Sequence, residues 1–154
     1  MTKSNFSSIK QAIEDIANGK MVIVVDDEDR ENEGDLVMAA HFVTPDAINF
    51  MIKEAKGLVC LPMIQSDLER LNLEDMVPVN RDSLKTAFTV SIDASAEHGI
   101  TTGISAAERA KTIQTFISPS SNQNDIVSPG HMMVDLIFSG GFYIKNINVV
   151  IICG

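Results

Sequence analysis

A run of apolar residues that leads directly into a block of carboxylates constrains this chain more than any other feature of its sequence. Residues 21–25 read Met-Val-Ile-Val-Val, and the next ten hold seven of the chain's 21 acidic residues together with one arginine. The apolar run predicts a buried strand, so the carboxylates would lie at the rim of a folded core. In open α/β sheets that rim is where ligands usually bind.

The composition of the acidic segment is also compatible with a solvated loop or a calcium site. Blocks of like charge are commonly solvated loops, but this one is internal, adjoins a predicted strand and contains Arg30 and Gly34. A calcium loop of the EF-hand type needs glycine at its sixth position, where Asn32 stands if Asp27 is the first. Clustered carboxylate oxygens beside an arginine suit Mg²⁺ and an anionic, polyhydroxylated substrate better.

The composition limits the classes of protein to which the chain can belong. Its 154 residues suit a single domain, and no apolar stretch approaches the roughly twenty residues of a membrane-spanning helix. A net charge of −9 without a basic patch argues against nucleic-acid binding. The two cysteines give no disulfide framework and the N-terminus has no apolar signal core, so we expect a cytoplasmic protein.

Helical and strand patterns alternate along the chain. The predicted helices follow caps at Ser7 or Ser8, at Thr44 before Pro45, and at Ser105 in capping-box spacing with Glu108, and they end near Gly19, Gly57 and Phe116. A short helix at most is predicted at residues 66–71. Further strands are predicted at residues 36–40, at 58–62, ended by Pro62, and at 86–92. The fold class is therefore α+β (mixed α/β), a layered sandwich with a mixed, twisted sheet flanked by helices.

Three segments, in the same order, resemble the signature motifs of one enzyme family. They are Val-Asp-Asp-Glu-Asp-Arg-Glu-Asn-Glu-Gly-Asp at residues 25–35, Gly-Ile-Thr-Thr-Gly-Ile-Ser-Ala-Ala-Glu-Arg-Ala at 99–110, and Ser-Pro-Gly-His at 128–131. The family is 3,4-dihydroxy-2-butanone 4-phosphate synthase of riboflavin biosynthesis, a lyase that converts D-ribulose 5-phosphate to formate and a four-carbon ketone phosphate. The resemblance implies Mg²⁺ (or Mn²⁺) as cofactor, a sugar-phosphate substrate, and a homodimer with active sites at the subunit interface.

The resemblance also implies roles for residues in two of these motifs. Glu31 would be the metal ligand and would contact the sugar together with Arg30, and Asp35 would bind a substrate hydroxyl. His131 would be catalytic, and Glu33 is a further candidate for proton transfer. The residues without such support, which we interpret as structural, are His41, His98 and Cys60.

The segment ahead of the third capped helix is a candidate phosphate site by a separate argument. Backbone N–H groups and the hydroxyls of Thr101 and Thr102, at a helix N-terminus, can hold a phosphate without a lysine. A plain capping segment accounts for the same residues equally well. Thr102 is therefore a candidate substrate-binding residue.

After His131 the sequence departs from the family pattern. Beyond a Gly-Gly pair, the family carries an arginine and a threonine that hold the substrate and a histidine that binds metal. Aligned on its own Gly-Gly pair, this chain has in those places Lys145, Val149 and Asn148. We therefore divide the chain into a synthase-like domain, residues 1–131, and a divergent tail, residues 132–154.

These replacements lead us to expect low turnover. Two alternatives to the full enzyme stay open. One is a non-catalytic, truncated remnant that keeps the acidic metal and sugar-phosphate cleft. The other is a ligand-binding or assembly module that uses the same cleft without chemistry.

Overall fold

The computed structural model describes residues 6–25, 34–137 and 149–153. Its strands are β1 (Val22–Val25), β2 (Gly34–Ala39), β3 (Leu58–Met63), β4 (Ile92–Ala94), β5 (Ile126–Leu136) and β6 (Val149–Cys153). They form one mixed sheet in the order β1-β2-β6-β3-β5-β4. Strands β3 and β5 are parallel, whereas the other neighbouring pairs are antiparallel.

The α-helices of the described residues are α1 (Ile9–Ala17), α2 (Pro45–Glu54), α3 (Gln65–Leu71) and α4 (Ala106–Phe116). Together with the mixed sheet they confirm the predicted α+β class. Within the described ranges, each helix is too short or too polar to cross a membrane.

Local capping chemistry places the helix starts where the sequence predicts them. Each capping oxygen accepts a backbone N–H from three residues further on: Ser8 from Gln11 at 3.2 Å, Thr44 from Ala47 at 3.1 Å, and Ser105 from Glu108 at 3.1 Å. The predicted end of α2 is wrong. The helix stops at Glu54, and Lys56 (φ 62°), not Gly57, takes the left-handed conformation behind it.

Helices cover the two faces of the sheet unequally. On one face, which we name the three-helix face, α2, α3 and α4 bury one large core; its central side chains include Met51, Leu61, Phe116 and Val134. On the opposite face, which we name the α1 face, Ile16 of α1 packs on Val37, Ala39 and Val149. Where the strands are regular, the alternation of their side chains assigns each residue to one of these faces.

Strand β1 forms as predicted but is not buried. It is the edge strand of the sheet, and it pairs only with β2 among the described residues. Ile23 and Val25, which point to the three-helix face, are 69% and 50% exposed, because none of the described helices covers them on that face. The apolar run therefore marks an edge strand with one open side.

The strand predicted at residues 58–62 starts as predicted and is one residue longer, whereas the strand predicted at 86–92 is displaced toward its C-terminal end. Strand β3 continues through Pro62, which pairs with Asp135 of β5; the pairing of β3 with β6 is limited to residues 58–60, so a missing N–H on that side costs little. Only Ile92–Ala94 forms strand β4. Residues 86–91 contribute two isolated bridges, through Phe88 and Thr89.

The position of β6 in the middle of the sheet is relevant to the predicted division of the chain at residue 131. Residue 131 lies inside β5, and β6 lies between β2 and β3 in the middle of the sheet. Residues on both sides of the proposed division therefore share one sheet. The division into residues 1–131 and 132–154 stays a prediction from the family pattern.

Candidate active site

The Ser-Pro-Gly-His motif forms a bulge on strand β5. The register of β4 against β5 jumps from Ile92 opposite Met132 to Asp93 opposite Val127. Residues 128–131 therefore have no ladder partner on β4, and the strand bends out at this point. His131 lies on this strand, and the bulge aims its side chain.

Side chains of the neighbouring segment satisfy the polar groups of the bulge. The Ser128 hydroxyl donates to the Ser91 carbonyl at 2.9 Å, and the Gly130 N–H donates to Ser91 Oγ at 3.3 Å. Gly130 is required by close approach, because a Cβ there would overlap the carbonyl carbon of Ile92. The motif is therefore fitted to the backbone of β4 and the residue before it.

Asp93 makes two hydrogen bonds to His131. Its Oδ1 accepts the His131 backbone N–H at 3.0 Å, and its Oδ2 lies 2.7 Å from His131 Nδ1. The Asp93 side chain is 7% exposed, whereas the His131 side chain is 40% exposed. The imidazole is thus held on one side by a buried carboxyl group and is open to solvent on the other.

The turn that precedes α4 packs against this pair. Gly103 has φ 79°, and a Cβ at that position would overlap Asp93 Oδ2. Only glycine fits the left-handed conformation and the close contact together. Thr102 therefore lies one residue from the wall of the His131 site, which brings two of the predicted site residues into one neighbourhood.

The carboxylate of Glu108 binds the donors proposed for a phosphate. Its Oε1 accepts the Thr101 N–H at 2.6 Å and the Thr101 hydroxyl at 2.7 Å, and its Oε2 lies 3.0 Å from Ser105 Oγ and 3.4 Å from Thr102 Oγ1. These hydrogen bonds, those from Thr101 foremost, lower the pKa of Glu108 to about 2. The protein's own glutamate thus occupies this anion-binding turn, and Thr102 makes the longest of the four contacts.

Asp35 lies at the same end of the sheet as His131 and on the same face. It is half-buried at the start of β2, on the α1 face with Val37. Extending the pairing registers by one residue in β2 and by two in β5 aligns Asp35 with residue 153, Leu58 and His131 in one row across the sheet. Three strand spacings separate Asp35 from His131, which is about 14 Å.

The other predicted residues of the acidic segment, Arg30, Glu31 and Glu33, lie outside the described residues. Among the residues that the structure describes, no three carboxylate, imidazole or thiol groups gather closely enough to hold a metal ion. The metal and sugar contacts expected of the acidic segment therefore stay predictions. Asp35, the last residue of the acidic segment, lies in the same row of the sheet as His131.

The remaining histidines and Cys60 make contacts of a structural kind. His98 Nε2 lies 2.8 Å from Asp125 Oδ1, and His41 packs edge-on against Phe42. Cys60 lies in β3 and is 4% exposed. An open cavity of about 780 Å³ lies elsewhere, beneath residues 75–88 and Leu136, and none of the predicted site residues lines it.

Asp93 is the site residue that sequence reasoning missed. Its nearest signal is the predicted strand that precedes it, and nothing in the sequence connects it with His131, 38 residues later. The register jump that brings the two together depends on strand pairing. A local pattern does not encode that pairing.

Comparison with known proteins matches the same region of the chain. The family model for 3,4-dihydroxy-2-butanone 4-phosphate synthase matches residues 10–143. A curated 3,4-dihydroxy-2-butanone 4-phosphate synthase of Neisseria meningitidis is 56% identical over 142 residues, which are 92% of this chain and 39% of the relative. The riboflavin biosynthesis protein RibBA of Aquifex aeolicus is 58% identical over 127 residues, 82% of this chain and 31% of the relative.

Solved structures agree with these relatives. A 3,4-dihydroxy-2-butanone 4-phosphate synthase in complex with two magnesium ions matches with a TM-score of 0.84 and 38% identity, over 88% of this chain and 62% of that one. The two-domain synthase RibBX from A. baumannii matches with a TM-score of 0.85 and 41% identity, over 96% of this chain and 47% of that one. The chain spans about two fifths of the length of its Neisseria relative. It belongs to the 3,4-dihydroxy-2-butanone 4-phosphate synthase family.

Proposed function

We propose that this chain catalyses the reaction for which its relatives are named, with D-ribulose 5-phosphate as substrate and formate and 3,4-dihydroxy-2-butanone 4-phosphate as products. The observation that carries the proposal is the position of His131. Its bulge holds a half-exposed imidazole on the α1 face, in the row of the sheet where the acidic segment ends at Asp35. A proton-transfer group and a set of oxygen ligands at one end of a sheet suit the enolisation of a ketose phosphate.

Each residue of the proposed site has a role toward one part of the substrate. His131 exchanges a proton with the sugar carbon or its oxygen, and Glu33 is the second proton-transfer group. Arg30 and Glu31 contact the sugar, and Asp35 binds one of its hydroxyls. Thr102 binds the phosphate, and its 3.4 Å contact with Glu108 is the one most easily given up to a ligand.

A divalent cation fits the donors of the acidic segment. Carboxylate oxygens are the ligands preferred by Mg²⁺, and Mn²⁺ accepts the same set. Glu31 would hold the ion. When bound, the cation supplies charge stabilisation for the oxyanion that forms as the substrate enolises.

We also propose that the chain is a homodimer. The apolar positions that predict α1 are only partly covered: Ile16 is buried, whereas Ile9 is 80% exposed and Ile13 is 42% exposed. Phe6, just before the helix, is 73% exposed. Apolar side chains grouped on one helix commonly mark a protein interface, and this group is the support for a dimer.

The cytoplasm is the proposed location. The support is the low cysteine content, two residues that give no disulfide framework, which suits a reducing compartment.

Formate release tests the proposed function directly. The purified chain would be given ribulose 5-phosphate with Mg²⁺, and formate would be followed with formate dehydrogenase. We expect formate release that chelation of the metal abolishes. In His131→Gln the rate should fall by about 10²- to 10⁴-fold, because a general acid–base group is lost.

His98→Gln is the matched control. His98 is also paired with an aspartate, but its partner is Asp125 and not Asp93. This variant should keep the wild-type rate. Formate release that is unchanged in His131→Gln contradicts the role of His131. Magnesium binding without any formate would favour the non-catalytic remnant.

A further inference from the structure

The imidazole of His131 has its two nitrogens in different surroundings. Nδ1 lies 2.7 Å from a carboxyl oxygen of Asp93, and the ring as a whole is 40% exposed. We propose that Asp93 is the positioning residue of His131: it keeps the ring proton on Nδ1 and so leaves Nε2 as the nitrogen that exchanges protons with the substrate. The part of this inference that concerns the substrate rests on the proposed function.

The backbone contact decides which atom carries the proton. Asp93 Oδ1 accepts the backbone N–H of His131 at 3.0 Å, which fixes the rotation of the carboxyl group. A carboxylate accepts hydrogen bonds and has no proton to give. Nδ1 therefore donates to Oδ2, and in the neutral ring the lone pair is on Nε2.

The surroundings of Asp93 hold this arrangement in place. Gly103 packs so closely that a Cβ would overlap Asp93 Oδ2. The turn that carries Gly103 is itself fixed by hydrogen bonds from Thr101 to Glu108. Asp93 thus has a hydrogen-bonded partner on one side and a close-packed wall on the other, so it cannot turn away from the imidazole.

The molecule contains a second histidine–aspartate pair for comparison. His98 Nε2 lies 2.8 Å from Asp125 Oδ1, but these side chains are 28% and 23% exposed, so the aspartate is far less buried than Asp93. Asp125 also caps a 3-10 helix through the Asn122 N–H. This pair joins two 3-10 helices and involves none of the predicted site residues. It therefore provides a control with the same chemistry.

Asp93→Asn is the test of the proposal. The backbone N–H of His131 requires an acceptor, so the amide oxygen would face it and the amide NH₂ would face Nδ1. Nδ1 must then accept, which moves the ring proton to Nε2. NMR of ¹⁵N-histidine-labelled protein reads this directly, because the chain has three histidines and His131→Gln identifies the signals of His131.

We expect a protonated Nδ1 and a bare Nε2 in the neutral ring of the wild-type protein, and the reverse in Asp93→Asn. With ribulose 5-phosphate the variant should lose at least about 100-fold in kcat, while KM changes little because the substrate contacts remain. Asp125→Asn should change the signals of His98 and leave both kcat and the signals of His131 unchanged.

Each outcome decides the proposal. A wild-type His131 protonated on Nε2 overturns it, and so does an Asp93→Asn variant that keeps its kcat or its Nδ1 proton. If Asp93→Asn fails to fold, the wild-type NMR signals alone decide. If the wild-type chain releases no formate, the proposed function fails, and the NMR result still decides whether Asp93 fixes the ring.

Discussion

Replacing Asp135 by asparagine should stabilise the protein, and the gain should depend on pH. Asp135 lies in β5 on the α1 face, opposite Pro62 of β3, and its Oδ1 is buried without a hydrogen-bond partner. Burial raises the pKa of Asp135 from 3.8 to about 6. The folded protein therefore resists ionisation of this carboxyl group, whereas the unfolded chain does not.

The magnitude follows from the difference between the two pKa values. A shift of about two units corresponds to about 3 kcal/mol between the protonation states. Because the pKa is raised on folding, the folded state binds more protons between pH 3.8 and about 6. The free energy of unfolding contributed by Asp135 is therefore fully present below pH 3.8 and is lost as pH rises through about 6.

Urea unfolding of the wild-type protein and Asp135→Asn, from about pH 4 to about pH 8, measures this effect. Near pH 4 the free energies of unfolding of the two proteins should differ only by the effect of replacing a carboxylic acid with an amide. That effect does not depend on pH. Near pH 8 the variant should have gained up to about 3 kcal/mol relative to that difference. Glu97→Gln removes an equal charge from an exposed site and controls for net charge. A gain that does not change with pH, or a variant that is weakened at high pH, would refute the reasoning.

Three other substitutions test separate contacts. Glu108→Gln should lower the thermal midpoint at neutral pH; because the pKa of Glu108 is lowered from 4.5 to about 2, the deficit should shrink as pH falls through that interval in thermal scans. Gly130→Ala should cost about 1–3 kcal/mol in urea unfolding and reduce formate release, because its Cβ would overlap the backbone of Ile92. Asn148→His should tighten Mg²⁺ binding, measured by calorimetry, and raise turnover at least about tenfold, because it restores the histidine that the resemblance gives as a metal ligand; unchanged binding would contradict the alignment of Asn148 with the family histidine.

Local chemistry explains which parts of the fold were predictable. The caps at Ser8, Thr44 and Ser105 act on N–H groups within three residues, so the sequence contains all that is needed to place the helix starts. The end of α2 was missed because Lys56 took the conformation that glycine normally takes. Which residue takes the left-handed conformation depends on the path of the chain from α2 to β3.

Strand positions depend on partners that are distant in sequence. Residues 86–91 have strand composition, but Phe88 and Thr89 form only isolated bridges, to Asp135 and Asp75, and ladder pairing with β5 is limited to Ile92–Ala94. In the same way β1 reads as a buried strand, whereas its place at the edge of the sheet leaves Ile23 open. Composition indicates that a strand forms and says less about its neighbours.

The residues of the candidate site also differ in whether a local sequence pattern predicts them. His131 and Asp35 belong to motifs that can be read directly, and the structure sets them on one face at one end of the sheet. Asp93 has no motif of its own, because its role arises from a register jump between two strands. Arg30, Glu31 and Glu33 were predicted from the sequence and lie outside the described residues.

The central position of β6 has a consequence for the span of the site. Two strands, β6 and β3, lie between Asp35 on β2 and His131 on β5, so three increments of about 4.8 Å separate the backbones of these two residues. This backbone distance is therefore set in whole strand spacings. If residues 149–153 were lost and β2 closed directly on β3, the gap would narrow by one such increment, to about 10 Å. The five residues of β6 thus contribute one of the three spacings that set the backbone distance between Asp35 and His131.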